Sequence, residues 1–195
     1  MIQENAIVRG NSDHYGKNDK PRVLIIGDSV VGNFYEKVRD KLSDVCYIDC
    51  AGFSYSFDNK LFTAISECYI KYNNYSLVLF ASGVNGLHIL PRIYRPRLEK
   101  LLSKASDRSK VAIATIPQVL NPNTTRPHSQ WGKRLEERNA YMVKLAQSEG
   151  YAVCDLYKTS LDIPYELRMP DGIHYLPTGE KSLAETLSQT IISLL

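Results

Sequence analysis

The sequence predicts a three-layer α/β/α domain around a five-stranded parallel sheet in the flavodoxin-like order 2-1-3-4-5. Short apolar runs rich in β-branched residues recur along the chain and alternate with amphipathic helical patterns. That alternation is the pattern of a parallel sheet covered on both faces. The first run, Val23-Leu24-Ile25-Ile26, is apolar throughout, as expected of a strand with no solvated side. Right-handed crossovers, and the lack of a sixth strand pattern, then favour the stated order.

Residues 1–20 are polar and mixed in charge and read as a flexible leader; 21–195 read as one domain without repeats or an interior linker. A strand over 22–26 feeds a helix over 31–42 carrying Phe34, Tyr35, Val38 and Leu42. A second strand over 45–48 ends in the loop Asp49-Cys50-Ala51-Gly52-Phe53-Ser54. Asp58 is expected to cap the next helix, with Leu61, Ile65, Cys68 and Tyr72 on its buried face. A third strand over 77–81 runs into Ser82-Gly83-Val84-Asn85-Gly86. Leu98, Leu101, Leu102 and Ala105 give an amphipathic helix before a fourth strand over 111–115. A loop holding Pro117, Pro122, Pro127 and Trp131 precedes a helix over 132–149, which buries Leu135, Met142, Leu145 and Ala146. Gly150 closes that helix, and 151–154 make the fifth strand. Pro177 and Thr178 open the last helix, whose stripe is Leu183, Leu187 and Ile191.

At 195 residues the chain is long enough for one substantial core and short for two. A net charge of +3 argues against a nucleic-acid or membrane partner. No apolar run reaches membrane-spanning length, and the first 20 residues hold no apolar stretch of a secretory signal. Cys46, Cys50, Cys68 and Cys154 form no C-x-x-C pair and no zinc spacing with histidine. They read as reduced packing residues of a cytoplasmic protein, and no metal or cofactor is expected. Arg92, Arg95, Arg97 and Lys100 read as a solvated helix face.

The turn after the first strand, Gly27-Asp28-Ser29, lies where open α/β sheets place their chemistry. Backbone N–H groups there are unpaired and face an anion or a developing oxyanion. Ser29 is either a nucleophile or a simple helix cap. Gly27 to Gly32 mimics a phosphate loop, but Asn33-Phe34 replaces the Lys-Ser/Thr pair. The G-x-S-x-G elbow fails on Val31. Under the predicted topology the strand ends share one edge with the loop Met169-Pro170-Asp171-Gly172-Ile173-His174-Tyr175. A serine, a histidine and a carboxylate gathered there form a nucleophile, its base and an orienter of that base.

These residues resemble the SGNH hydrolases, also called GDSL esterases/lipases. Gly27-Asp28-Ser29-Val30 looks like the family's first block, with Ser29 as nucleophile. Gly83-Val84-Asn85 looks like the G-x-N block, whose asparagine joins the oxyanion hole. Asp171-Gly172-Ile173-His174 looks like the D-x-x-H block that completes the triad with Asp171 and His174. The resemblance spans about 22–190. Two departures stand out. The glycine block is poorly defined: Gly52 is the only glycine available, while counting from the strand end puts Ser54 in its slot. Gly86-Leu87-His88 competes with the third block, although counting from the strand start favours Gly83 and Asn85. The resemblance implies a cofactor-free serine esterase with an oxyanion hole of Ser29, Gly52 and Asn85. Its substrate would be a small acyl ester, such as an acetyl ester, of a carbohydrate or other metabolite. O-acyltransfer with the same triad, and thioester or lysophospholipid hydrolysis, are the alternatives. Nothing in the sequence speaks to oligomeric state.

Overall fold

The computed structural model describes residues 9–11 and 16–195. Its strands are β1 (Arg9–Asn11), β2 (Arg22–Gly27), β3 (Tyr47–Gly52), β4 (Leu77–Ala81), β5 (Lys110–Ala114) and β6 (Ala152–Cys154). Its helices are α1 (Ser29–Lys41), α2 (Lys60–Tyr72), α3 (Pro91–Ser106), α4 (Gly132–Glu149), α5 (Leu156–Leu161) and α6 (Pro177–Leu194). The sheet order is β1-β3-β2-β4-β5-β6, with β2 to β6 parallel and β1 antiparallel at the β3 edge. The five parallel strands taken alone follow the predicted order 2-1-3-4-5. Of the expected leader, residues 1–8 and 12–15 lie outside the described residues, and Arg9–Asn11 form β1.

Alternation along the buried strands sorts side chains into two cores. Leu24, Ile26, Val78, Phe80, Val111 and Ile113 face α2, α3 and α4. Val23, Ile25, Ile48, Cys50, Leu77 and Leu79 face α1, α5 and α6. Each central strand is therefore apolar on both sides, which explains the unbroken apolar runs. No helix among the described residues is long and apolar enough to cross a membrane.

Three expectations are corrected. The second strand occupies Tyr47–Gly52 rather than 45–48. Asp49 looked like a loop residue, but it is buried, ion-paired with Arg22 (2.8 Å) and accepts from the Tyr75 hydroxyl (2.9 Å). The cap of α2 is Asn59, which accepts from the Leu61 N–H (2.8 Å), rather than Asp58. The buried face of α2 is Phe62, Ser66 and Ile70, while Leu61, Cys68 and Tyr72 are exposed and Ile65 is half-buried. Phe62 joins an aromatic cluster, its ring centroid 4.5 Å from both Phe53 and Phe57. Burying that ring turns the helix away from the Leu61 stripe.

Candidate active site

Asp28 and Ser29 sit where β2 hands over to α1. Asp28, and not Ser29, is the N-cap, accepting from the Val30 N–H (3.2 Å). Ser29 is the first helical residue. Its N–H therefore has no intrahelical acceptor and lies at the positive end of the helix dipole. Its hydroxyl is left for another partner, His174, whose Nε2 lies 2.9 Å from Ser29 Oγ. The opposite ring nitrogen, Nδ1, lies 2.6 Å from Asp171 Oδ2. An ionised carboxylate only accepts, so Nδ1 carries the proton and Nε2 accepts from the serine hydroxyl.

The loop carrying Asp171 and His174 is held on several sides. Asp171 Oδ1 accepts from the N–H groups of Ile173 (2.8 Å) and His174 (2.9 Å). Partial burial pushes the Asp171 carboxyl up, but its hydrogen bonds to His174 and Ile173 outweigh this and hold it below the usual carboxylate value. Gly172 has φ +73°, and a Cβ there would stand 2.3 Å from the Leu120 carbonyl oxygen. Only glycine fits that turn. Its own carbonyl accepts from the Leu120 N–H (2.8 Å), and the Pro170 carbonyl accepts from the Asn123 N–H (2.9 Å). At the base of the loop the buried Arg168 donates to the Gln118 carbonyl (3.1 Å) and the Tyr175 hydroxyl (3.0 Å).

The Gly83-Val84-Asn85 turn follows β4 and lies beside Ser29. Asp28 Oδ2 accepts from the N–H groups of Gly83 (2.9 Å) and Val84 (3.0 Å). Burial pushes the Asp28 carboxyl up, against the pull of the Gly83, Val84 and Val30 N–H groups. From the other side the buried Arg138 donates to the carbonyls of Gly83 (3.2 Å) and Ile89 (3.0 Å) and lies over the Tyr94 ring, 3.9 Å from its centroid. The Gly83 peptide is thus held between a buried carboxylate and a buried guanidinium. Asn85 donates from Nδ2 to the Phe53 carbonyl (3.2 Å), tying this turn to the end of β3.

Gly52 lies inside β3, paired with Gly27 of β2 and Arg9 of β1. The Phe53 N–H donates to the Gly27 carbonyl (3.0 Å). Alternate residues of a strand address opposite neighbours, so the Gly52 N–H is turned toward β1. Ser54 is the second residue beyond the strand. A cavity of about 110 Å³ lies here, lined by Ser29, Gly32, Phe53 and Ser54 among others. A larger one, about 980 Å³, lies between α3 and α4 and contains neither Ser29 nor His174.

The structure therefore gathers Ser29, Asp171 and His174 by direct contact, with Gly52 in the cavity wall and Asn85 bonded across to Phe53. His88 stands exposed, 3.9 Å from Asp58. His128 Nδ1 accepts from the N–H groups of Gln130 and Trp131 (3.2 Å each), which makes it a brace at the start of α4. Arg138 and Arg168 escaped the sequence reading, because nothing in composition or spacing marks an arginine that ends up bonding carbonyls in a core. No group of three or more His, Cys, Asp or Glu residues among those described is placed to hold a metal ion.

No protein-family model matches the chain, and no curated protein matches it by sequence. Solved structures do. A lipase/acylhydrolase from Enterococcus faecalis aligns with TM-score 0.72 and 18% identity, covering 89% of this chain and 96% of that one. A member of the lipolytic G-D-S-L family from Veillonella parvula aligns at 0.70 and 15% identity, covering 86% and 96%. An acetylxylan esterase from Geobacillus stearothermophilus aligns at 0.74 and 14% identity, covering 88% and 94%. The chain has the fold of the SGNH, or GDSL-type, hydrolases.

Proposed function

We propose that the protein is a serine ester hydrolase. The observation that carries this is the contact chain from Ser29 Oγ through both ring nitrogens of His174 to Asp171 (2.9 and 2.6 Å). Ser29 Oγ attacks the ester carbonyl while His174 Nε2 takes the hydroxyl proton. Asp171 fixes the Nδ1–H tautomer and stabilises the imidazolium. The carbonyl electron pair moves onto oxygen, facing the Ser29 N–H, the Asn85 amide and a backbone N–H of the loop after β3. Of the two candidates, Gly52 at the end of β3 and Ser54 in the loop, we favour Ser54, because the Gly52 N–H is turned toward β1. Collapse of the intermediate expels the alkoxide, which takes the proton from His174. Water then attacks the carbonyl of the acylated Ser29 while His174 Nε2 takes its proton; collapse breaks the bond to Ser29 Oγ, which takes that proton back as the acid leaves. Water is the only co-reactant the cycle needs.

The finer reading is a small acyl ester, acetyl above all, of a carbohydrate or other metabolite. It is supported by the small cavity beside Ser29 and by the acetylxylan esterase among proteins of this fold. A fluorophosphonate should label the wild type at Ser29 and raise its intact mass by one adduct. Ser29→Ala should abolish the labelling. Equal labelling of the mutant, or none of the wild type, would leave Ser29 as an ordinary first-turn residue.

A further inference from the structure

Between β4 and α3 lies a single turn of 3₁₀ helix, Val84–Gly86, with Asn85 at its centre. It bonds itself weakly. The Gly86 N–H reaches the Gly83 carbonyl, and the Leu87 N–H the Val84 carbonyl, at 3.3 Å each, long for such bonds. A turn of this kind takes its shape from what grips it from outside.

Two grips meet on one peptide unit. Asp28 Oδ2 accepts from the Val84 N–H (3.0 Å), and Arg138 Nη1 donates to the Gly83 carbonyl (3.2 Å). The same guanidinium donates from Nη2 to the Ile89 carbonyl (3.0 Å). Its two acceptors stand on either side of Asn85, so the fork spans the base of the loop that carries the amide. A Cβ on Gly86 would stand 3.4 Å from Nη1, which puts the cation directly against the turn.

Arg138 is itself held in place. Its guanidinium lies 3.9 Å from the Tyr94 ring centroid. The next residue of α4, Asn139, accepts from the Ile116 N–H (2.7 Å) and donates to the Ile116 carbonyl (2.9 Å). Arg138 is 7% exposed, and its hydrogen bonds among the described residues go to main-chain carbonyls rather than to a carboxylate. Burying a guanidinium in that way is costly. Its planar fork serves two carbonyls at a fixed spacing, where lysine offers only a point charge.

We propose that Arg138 is a positioning residue for the ester chemistry: its guanidinium fixes the 83–89 loop so that the Asn85 amide meets the oxyanion. The proposal rests on the Ser29 esterase reading above and adds to it the residue that sets the geometry of one oxyanion donor. Arg138 acts through Asn85 and not on the ester. A misplacement of about 1 Å can cost 10²-fold, and the ceiling is loss of the donor itself, roughly 10²–10³ in kcat.

The test is hydrolysis of p-nitrophenyl acetate by the wild type, Arg138→Lys, Arg138→Gln and Asn85→Ala, and by each Arg138 variant combined with Asn85→Ala. Each kcat is counted per Ser29 titrated to completion with a fluorophosphonate, so unfolded chains drop out of the count. Arg138→Lys keeps the stem and the charge and should fold most readily. Both Arg138 variants should lower kcat about 10–100-fold with KM within about threefold of the wild type. In the Asn85→Ala background the same changes should cost less than about threefold more, because the amide they misplace is already gone. An arginine that serves stability alone would lower the melting temperature and the titratable fraction and leave kcat per site unchanged. Full kcat in both Arg138 variants, losses that multiply with that of Asn85→Ala, or Arg138 variants with no titratable Ser29 overturn the positioning role and leave the esterase reading standing. A wild type that neither hydrolyses the ester nor takes a fluorophosphonate at Ser29 overturns both.

Discussion

Asn85 has a side-chain amide with one protein acceptor, the Phe53 carbonyl at 3.2 Å. A half-buried amide bonded to the carbonyl of a residue in the cavity wall has donor capacity left for an oxyanion that exists only during reaction. Losing one such donor costs about 2.7–4 kcal/mol, roughly 10²–10³ in kcat. Asn85→Ala should show that loss with little change in KM and a nearly normal melting curve, since it lies in a surface turn. His88 is exposed and 3.9 Å from Asp58, so His88→Ala should lose less than about tenfold, or ~1.4 kcal/mol. Saturation kinetics on one ester decide the matter. A crippled His88→Ala beside a healthy Asn85→Ala would move the block to Gly86-Leu87-His88. The donor role of Asn85 is a proposal these kinetics test, while the contact among Ser29, His174 and Asp171 was legible because each sits in a short string that the family resemblance picks out. Arg138 and Arg168 were not, since their acceptors lie on other elements up to 55 residues away.

At the scale of elements, the predicted apolar stripes of α3, α4 and α6 are all buried, although α4 also buries Arg138 and Asn139 and α6 buries Glu180 and Ser188. The stripe of α2 contains Ser66, buried at 0% exposure, while the rejected stripe offered Leu61 and Tyr72. Periodicity alone cannot weigh one aromatic contact against two exposed apolar residues. The short α5 went unseen because its six residues, Leu156–Leu161, give too little periodicity to read. The turn after β4 depends on a contact just as invisible in sequence. A Cβ on Gly83 would stand 2.4 Å from Ile116 Cδ1 and 2.8 Å from its Cγ1, and Ile116 is itself buried. Gly83→Ala should therefore destabilise by about 1–3 kcal/mol through overpacking. It should also lower kcat by displacing the peptide held between Asp28 and Arg138. Ile116→Ala alone should cost about 2–5 kcal/mol as a cavity. Combined, the two should cost less than their sum by more than about 0.5 kcal/mol, because each relieves the other. Strict additivity in denaturant melts would show that the contact does not govern the turn.

The whole molecule is a sheet whose proposed nucleophile, Ser29, leaves from the central strand β2, while its stability is also exposed at its edges. β3 is buried along all six residues, and its outer side is covered by the pairs Arg9↔Gly52, Gly10↔Ala51 and Asn11↔Cys50. Without β1 that side would offer unpaired backbone groups to another chain. Removal of residues 1–15 should therefore act on assembly and stability before chemistry. Each lost backbone hydrogen bond is worth about 0.5–1.5 kcal/mol. For a chain of this size each kcal/mol shifts Tm by about 2–4 °C. Two or three such bonds thus predict a Tm lower by roughly 2–18 °C. The shortened chain should also associate in a concentration-dependent way on gel filtration. Ser29 should still take up a fluorophosphonate, since it follows β2, which pairs with β3 and β4, and its contact chain runs to His174 and Asp171. An unchanged Tm with a monomeric profile would show that β3 tolerates a bare edge. Loss of labelling at an unchanged Tm would mean that β1 holds the Gly52 to Ser54 wall of the site in place.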